Sequence, residues 1–147
     1  MELKPSFSII IPTYNRPNEL KRCLDAISKM NYPRNQFEVI IVDDGGECAL
    51  NHLIARHQKQ IDLKIYRQKN AGPAMARNAG TTNARGNYFA FTDDDCAPDA
   101  KWLQCFEARF DQTPNSVIGG KTINALPKNL YAEASQLFMD YLHEYYN

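Results

Sequence analysis

Three carboxylates in a row, Asp93, Asp94 and Asp95, follow the apolar run Tyr88–Phe91. At the end of a buried strand they would repel one another unless a cation or open solvent compensated them, and hard oxygen ligands of this kind select magnesium or manganese. Such an ion takes one or two protein carboxylates and completes its shell with water and substrate phosphates. The chemistry these residues suggest is therefore the holding of a diphosphate through Mg2+ or Mn2+. The competing reading is a solvated acidic turn that caps the next helix, a common use of Asp-rich loops. Asp99 belongs to that second kind: between Pro98 and the Trp102, Phe106, Phe110 pattern, it is expected to be an N-cap.

Three further polar clusters stand in equivalent places. Pro12-Thr13-Tyr14-Asn15 follows Phe7–Ile11, Asp43-Asp44-Gly45-Gly46 follows Phe37–Val42, and Asn70-Ala71-Gly72-Pro73 follows Leu63–Tyr66. Asp43 ends a fully apolar run and is suited to accept a hydrogen bond from a base N–H, whereas Asp44 reads as a cap for the Gly45-Gly46 turn. The stretch Gly72–Gly80 reads as a helix opened by Gly and Pro, with small residues that let it lie close to its support. Its N-terminus would aim amides at a phosphate or a uracil, and Arg77, one turn in, either adds charge there or serves as a structural ion-pair partner.

The elements that must position these clusters are legible from periodicity. Short β-branched or aromatic runs, with Val117-Ile118 as a fifth, alternate with amphipathic helix patterns at Leu20, Leu24, Ile27, then Leu50, Leu53, Ile54, then Leu103, Phe106, Phe110. The run Val39–Val42 is apolar on both faces, which fits a parallel sheet covered by helices on each side. In open parallel sheets ligands bind outside the carboxyl ends of the strands, where strand order reverses. Four converging clusters thus predict one site, placed between the first and fourth strands.

Composition narrows the function. The chain has 147 residues, 44% hydrophobic and 23% charged, which suits one α/β domain spanning 1–147. Lys plus Arg balance Asp plus Glu at 17 each with no basic run, so a nucleic-acid partner is not expected. Cys23, Cys48, Cys96 and Cys105 show no C-x-x-C pair or zinc spacing and read as reduced thiols of a cytoplasmic protein. Met1–Pro5 has no signal-peptide core, and no apolar stretch approaches the roughly 20 residues needed to span a bilayer.

Taken together, Ser8–Arg16, Val42-Asp43-Asp44, Gly72-Pro73 to Arg77-Asn78 and Phe91–Asp95 resemble the motifs of family 2 glycosyltransferases, in order and in spacing, over nearly the whole chain. The resemblance implies a Rossmann-like GT-A fold, a nucleotide-sugar donor, usually a UDP-sugar, and inverting transfer onto an acceptor hydroxyl. It places Pro12, Thr13 and Tyr14 around the base, Asp43 on its N–H edge, and Gly72 to Arg77 near the uridine or diphosphate. Asp93–Asp95 match the D-x-D element, with Asp95 on the metal, Asp93 reaching the ribose or a water on the metal, and Asp94 in the variable middle position.

In that family the general base comes from a later acidic motif, so it is expected beyond Asn147, and the chain is expected to stop before the acceptor-binding half. Gly119-Gly120-Lys121-Thr122 looks like the start of that half. Ala134, Leu137, Phe138, Tyr141, Leu142 and Tyr145 line one face of a final helix, opposite Glu133, Asp140 and Glu144. Packing of this face against missing protein, or against another copy in self-association, is favoured over peripheral membrane contact, which would call for lysines. Two other classes stay open: a sugar-phosphate nucleotidyltransferase, disfavoured because Thr13-Tyr14-Asn15 replaces a glycine-rich basic loop, and a non-catalytic nucleotide-sugar-binding module.

Overall fold

The computed structural model describes residues 6–126 and 128–146; Met1–Pro5, read above for targeting signals, lie outside them. The order is β1 (Phe7–Thr13), α1 (Pro17–Ile27), β2 (Phe37–Asp43), α2 (Asn51–His57), β3 (Leu63–Arg67), α3 (Pro73–Thr82), β4 (Tyr88–Phe91), α4 (Trp102–Gln112) and α5 (Leu130–Tyr146). The four strands form one parallel sheet in the order β3-β2-β1-β4, so β1 is central and the chain leaves it first to one side and later to the other.

Alternation along β1 and β2 builds two layers. Phe7, Ile9 and Ile11 face α1 and α4 through Leu20, Leu24, Ile27 and Leu103, whereas Ile10, Ile40 and Val42 face α3 through Ala76. Both faces are buried, as the apolar runs require. On its second face the sheet is approached closely: a Cβ at Gly80 of α3 would lie 2.5 Å from Ile10 Cγ2, so only glycine lets α3 sit this near.

A buried charge locks the amino ends of the strands. Glu38 accepts hydrogen bonds from Ser8 Oγ (2.7 Å), Arg85 N (2.6 Å) and Arg85 Nε (2.9 Å), and Gly86 N donates to Ser8 Oγ (2.9 Å), which ties the α3–β4 connection under β1 and β2. Burial raises the Glu38 carboxyl, but donors from Arg85 and Ser8 outweigh it and hold it below its ordinary 4.5. A carboxyl lowered in the folded state gives stability that is present above the unfolded value and lost as pH falls through the folded one. Urea unfolding followed from pH 7 downward is therefore expected to show stability falling below about pH 4.5, and Glu38→Gln is expected to flatten that fall. An unchanged slope in Glu38→Gln would assign the acid sensitivity elsewhere.

Two expectations are corrected. Val117-Ile118 is not a strand, and Val117 is fully exposed: two apolar residues before Gly119-Gly120 are too few to hold an edge without a neighbour, and β4 pairs only with β1 among the described residues. Asp99 is not the N-cap of α4. Lys101 occupies that position, while Asp99 Oδ1 accepts Lys101 N (2.8 Å) in the turn just before it. Among the described residues, no helix is long and apolar enough to cross a membrane.

Candidate functional site

The loop after β1 is tied to the loop after β2 by a single asparagine. Asn15 takes a positive φ of 54°, a conformation Asn tolerates, and its Oδ1 accepts Glu47 N (2.7 Å) and Cys48 N (3.4 Å) from the loop after β2. The chain can therefore turn sharply into Pro17 at the first position of α1, with Arg16 as the N-cap residue. Tyr14, half exposed, stands at the tip of the turn.

Of the two aspartates at the end of β2, Asp43 caps the Gly45-Gly46 turn, and not Asp44 as expected from sequence. Asp43 closes the turn: its Oδ1 accepts Gly46 N (2.8 Å), and its Oδ2 is held by Arg67 Nε (2.8 Å) and Nη2 (2.6 Å). Asp44, expected only to cap that turn, reaches across to the loop before α3, accepting Gln68 Nε2 (2.7 Å), Ala71 N (2.9 Å) and Gly72 N (2.8 Å). Burial raises the Asp44 carboxyl, yet the Ala71, Gln68 and Gly72 donors hold it below the usual carboxylate range. Asp44 thereby fixes Gly72, at φ 89°, as the residue preceding Pro73 and α3.

The acidic triplet after β4 is fanned out over two basic partners, Arg16 shared by Asp94 and Asp95, and Arg77 on Asp93. Asp94 turns inward, its side chain only 5% exposed, accepting Thr13 Oγ1 (2.8 Å) on one oxygen and Arg16 Nη1 (3.1 Å) on the other. The same Arg16 nitrogen lies 3.1 Å from Asp95 Oδ2. Hydrogen bonding to Asp94 first, with further contributions from Asp95, pushes the guanidinium above its already high range. Asp93 pairs with Arg77 Nη2 at 2.5 Å. Asp93 and Asp95 point outward, with side chains 54% and 50% exposed.

These groups surround one cavity of about 340 Å3, lined by Pro12, Thr13, Tyr14, Arg16, Asp44, Pro73, Arg77 and Asp93–Asp95, at the carboxyl ends of β1, β2 and β4. Strand order reverses there. Of the residues selected from sequence, Asp43 and Gly72 do not line it. Gly72 instead supports it from behind through Asp44. Arg16 and Asp44 join it, and Pro73 lines it from within the Gly72–Arg77 stretch. Arg16 carried no periodic or spacing signal, since its link to the acids spans 78 and 79 residues.

The donor set fits a magnesium- or manganese-type ion. Asp93 and Asp95 are two accessible hard oxygen donors, the number such an ion takes from protein when phosphates complete its shell. Among the described residues, no group of three or more His, Cys, Asp or Glu is placed to hold an ion by itself.

Comparison with known proteins is consistent with this geometry. A family model described as Glycosyl transferase family 2 matches residues 8–146. The chain is 31% identical over 118 residues to Glycosyltransferase AglE of Haloferax volcanii, covering 79% of this chain and 39% of that protein. It is 27% identical over 135 residues to the poly(ribitol-phosphate) beta-N-acetylglucosaminyltransferase TarS of Staphylococcus aureus, covering 88% and 24%. Among solved structures, S. aureus TarS in complex with UDP-GlcNAc shares the fold at a TM-score of 0.69 and 24% identity, over 79% of this chain and 37% of that one. The mannosyltransferase PcManGT from Pyrobaculum calidifontis, in complex with GDP-Man and Mn2+, matches at 0.66 and 25% identity, over 76% and 34%. The chain thus spans well under half the length of these relatives, 39% of the longest-covered one. The fold is the α/β GT-A type, a parallel sheet flanked by helices.

Proposed function

The chain belongs to glycosyl transferase family 2, and on that premise we propose that it carries the donor site of an enzyme moving a sugar from a nucleotide sugar, foremost a UDP-sugar, to an acceptor hydroxyl with inversion. The observation that carries this reading is the convergence of the β1, β2 and β4 ends on one cavity with exposed carboxylates, guanidinium groups and an exposed tyrosine. Tyr14, beside Pro12 and Thr13, offers an aromatic surface for the base. Arg77 lies one turn into α3, where an arginine recognises a diphosphate bidentately. Asp95, with Asp93 beside it, would hold the Mg2+ or Mn2+ ion. When bound, that ion supplies the positive charge that stabilises a departing nucleoside diphosphate. Asp94, with both oxygens engaged, keeps Thr13 and Arg16 in place.

We assign the N–H edge of the base to Asp43, as the family resemblance implies, although its neighbour Asp44 and not Asp43 lines the cavity, which makes Asp44 the alternative the test must separate. A carboxylate has about four acceptor positions, and the Gly46 amide and Arg67 use three of them while holding the group in place. Asp43→Ala is expected to weaken UDP binding by about 1–3 kcal/mol, the range for a hydrogen bond to a charged group, with metal dependence unaltered. Calorimetric titration with UDP and GDP, with and without manganese, tests the donor reading and this assignment together. Should Asp43→Ala bind UDP normally while Asp44→Ala does not, base recognition passes to Asp44.

Location and assembly follow from the same reading. The four free cysteines support a cytoplasmic protein. On α5, Ala134, Leu137, Phe138, Tyr141 and Tyr145 are exposed on one apolar face, which supports self-association when nothing else covers it. Sedimentation velocity is expected to show concentration-dependent association that Phe138→Glu suppresses; a monomer at all concentrations would refute it.

A further inference from the structure

Arg16 touches two of the three aspartates with one nitrogen, and the two contacts differ in kind. Asp94 is buried and also held by Thr13, so that end is fixed. Asp95 is half exposed, and its other contact is a weak 3.8 Å donation from Cys96 Sγ. The Arg16 backbone is fixed too, by the Asn15 bonds to Glu47 and Cys48 and by Leu20 N on the Arg16 carbonyl (3.0 Å). Its side chain is 52% exposed on the cavity wall. Any movement here therefore belongs to the guanidinium and to Asp95.

A guanidinium against Asp95 stands where a divalent ion would need that carboxylate, and two cations sharing it repel each other. Arg16 spends one nitrogen on both carboxylates, whereas a planar guanidinium can bind a phosphate bidentately, so a diphosphate in the cavity competes for it. We propose, building on the donor reading above, that Arg16 is a displaceable counter-ion. It holds Asp94 and Asp95 while the cavity is without donor, passes to the diphosphate when the donor enters, and so frees Asp95 for the divalent ion. Metal and diphosphate then bind as a coupled pair, and neither Asp95 nor the guanidinium is left without an opposite charge.

The test is manganese binding followed by electron paramagnetic resonance on the 147-residue chain, with and without UDP, for the wild type, Arg16→Gln and Arg16→Lys. Arg16→Gln is expected to bind manganese alone roughly fivefold more tightly, the scale of an exposed ion pair. The factor by which UDP tightens manganese is expected to shrink in the same variant. Arg16→Lys keeps the charge without the fork and should fall between the two. Manganese affinity unchanged in Arg16→Gln, or an undiminished effect of UDP, overturns the proposal while leaving a UDP-binding wild type as donor site. A wild-type chain that binds no UDP even with manganese overturns the donor reading itself, and this proposal with it.

Discussion

Incubated with manganese, radiolabelled UDP-sugars and a broad panel of hydroxyl acceptors, the 147-residue chain is expected to bind the sugar nucleotide and transfer none of it. Transfer needs an acceptor in line with the anomeric carbon and a base within reach of its hydroxyl. Every carboxylate lining the cavity is already engaged: Asp44 by Gln68 and two amides, Asp93 by Arg77, Asp94 by Thr13 and Arg16, Asp95 by Arg16. Asp44, held below its usual range, is a poor proton acceptor. A missing base costs about 10²–10⁴ in rate, and lost positioning about 7–11 kcal/mol more. Slow hydrolysis of the donor is compatible with this account. Saturable transfer is not, and Asp140, Glu144 and Glu133 would then be the acids to replace first.

Replacing Asp95 by alanine is expected to reduce UDP affinity to the value measured in excess chelator. Asp94 has both oxygens committed, whereas Asp93 and Asp95 are both half exposed; Asp95 is held by the longer contact, 3.1 Å to Arg16 against 2.5 Å from Asp93 to Arg77, and is the less tightly engaged of the two. An ion of the magnesium class takes only one or two protein carboxylates, so loss of one leaves the diphosphate to hold it nearly alone. A residual metal dependence in Asp95→Ala would move the ligand to Asp93. Equal UDP affinity with chelator and with manganese in the wild type would remove the metal from the account.

The fold was legible because its signals are local and repeated. Runs such as Val39–Val42 are buried on both faces as a parallel sheet demands, and the clusters after β1, β2 and β4 meet in one cavity because carboxyl ends of adjacent parallel strands must lie together. What sequence could not assign is how neighbours share partners. Asp43 and Asp44 are adjacent, so alternation along the strand sends them to opposite sides. Which one meets the Gly46 amide and which one Gly72 depends on a loop 24 to 28 residues away. Arg16 stands out in the sequence only as part of a motif, because its partners lie 78 and 79 residues away. Val117-Ile118 failed for a related reason: a β-branched pair has strand propensity, but a strand needs an edge to join.

The central claim is that nucleotide and metal share the cavity at the ends of β1, β2 and β4. Amide resonances of the isotope-labelled chain, titrated with manganese before and after saturation with UDP, test it most directly, since paramagnetic broadening reports distance from the ion. Broadening is expected to centre on Thr13, Tyr14, Arg16 and Asp93–Asp95 and to strengthen when UDP is present. Broadening centred elsewhere, or the same pattern and strength without UDP, would contradict it.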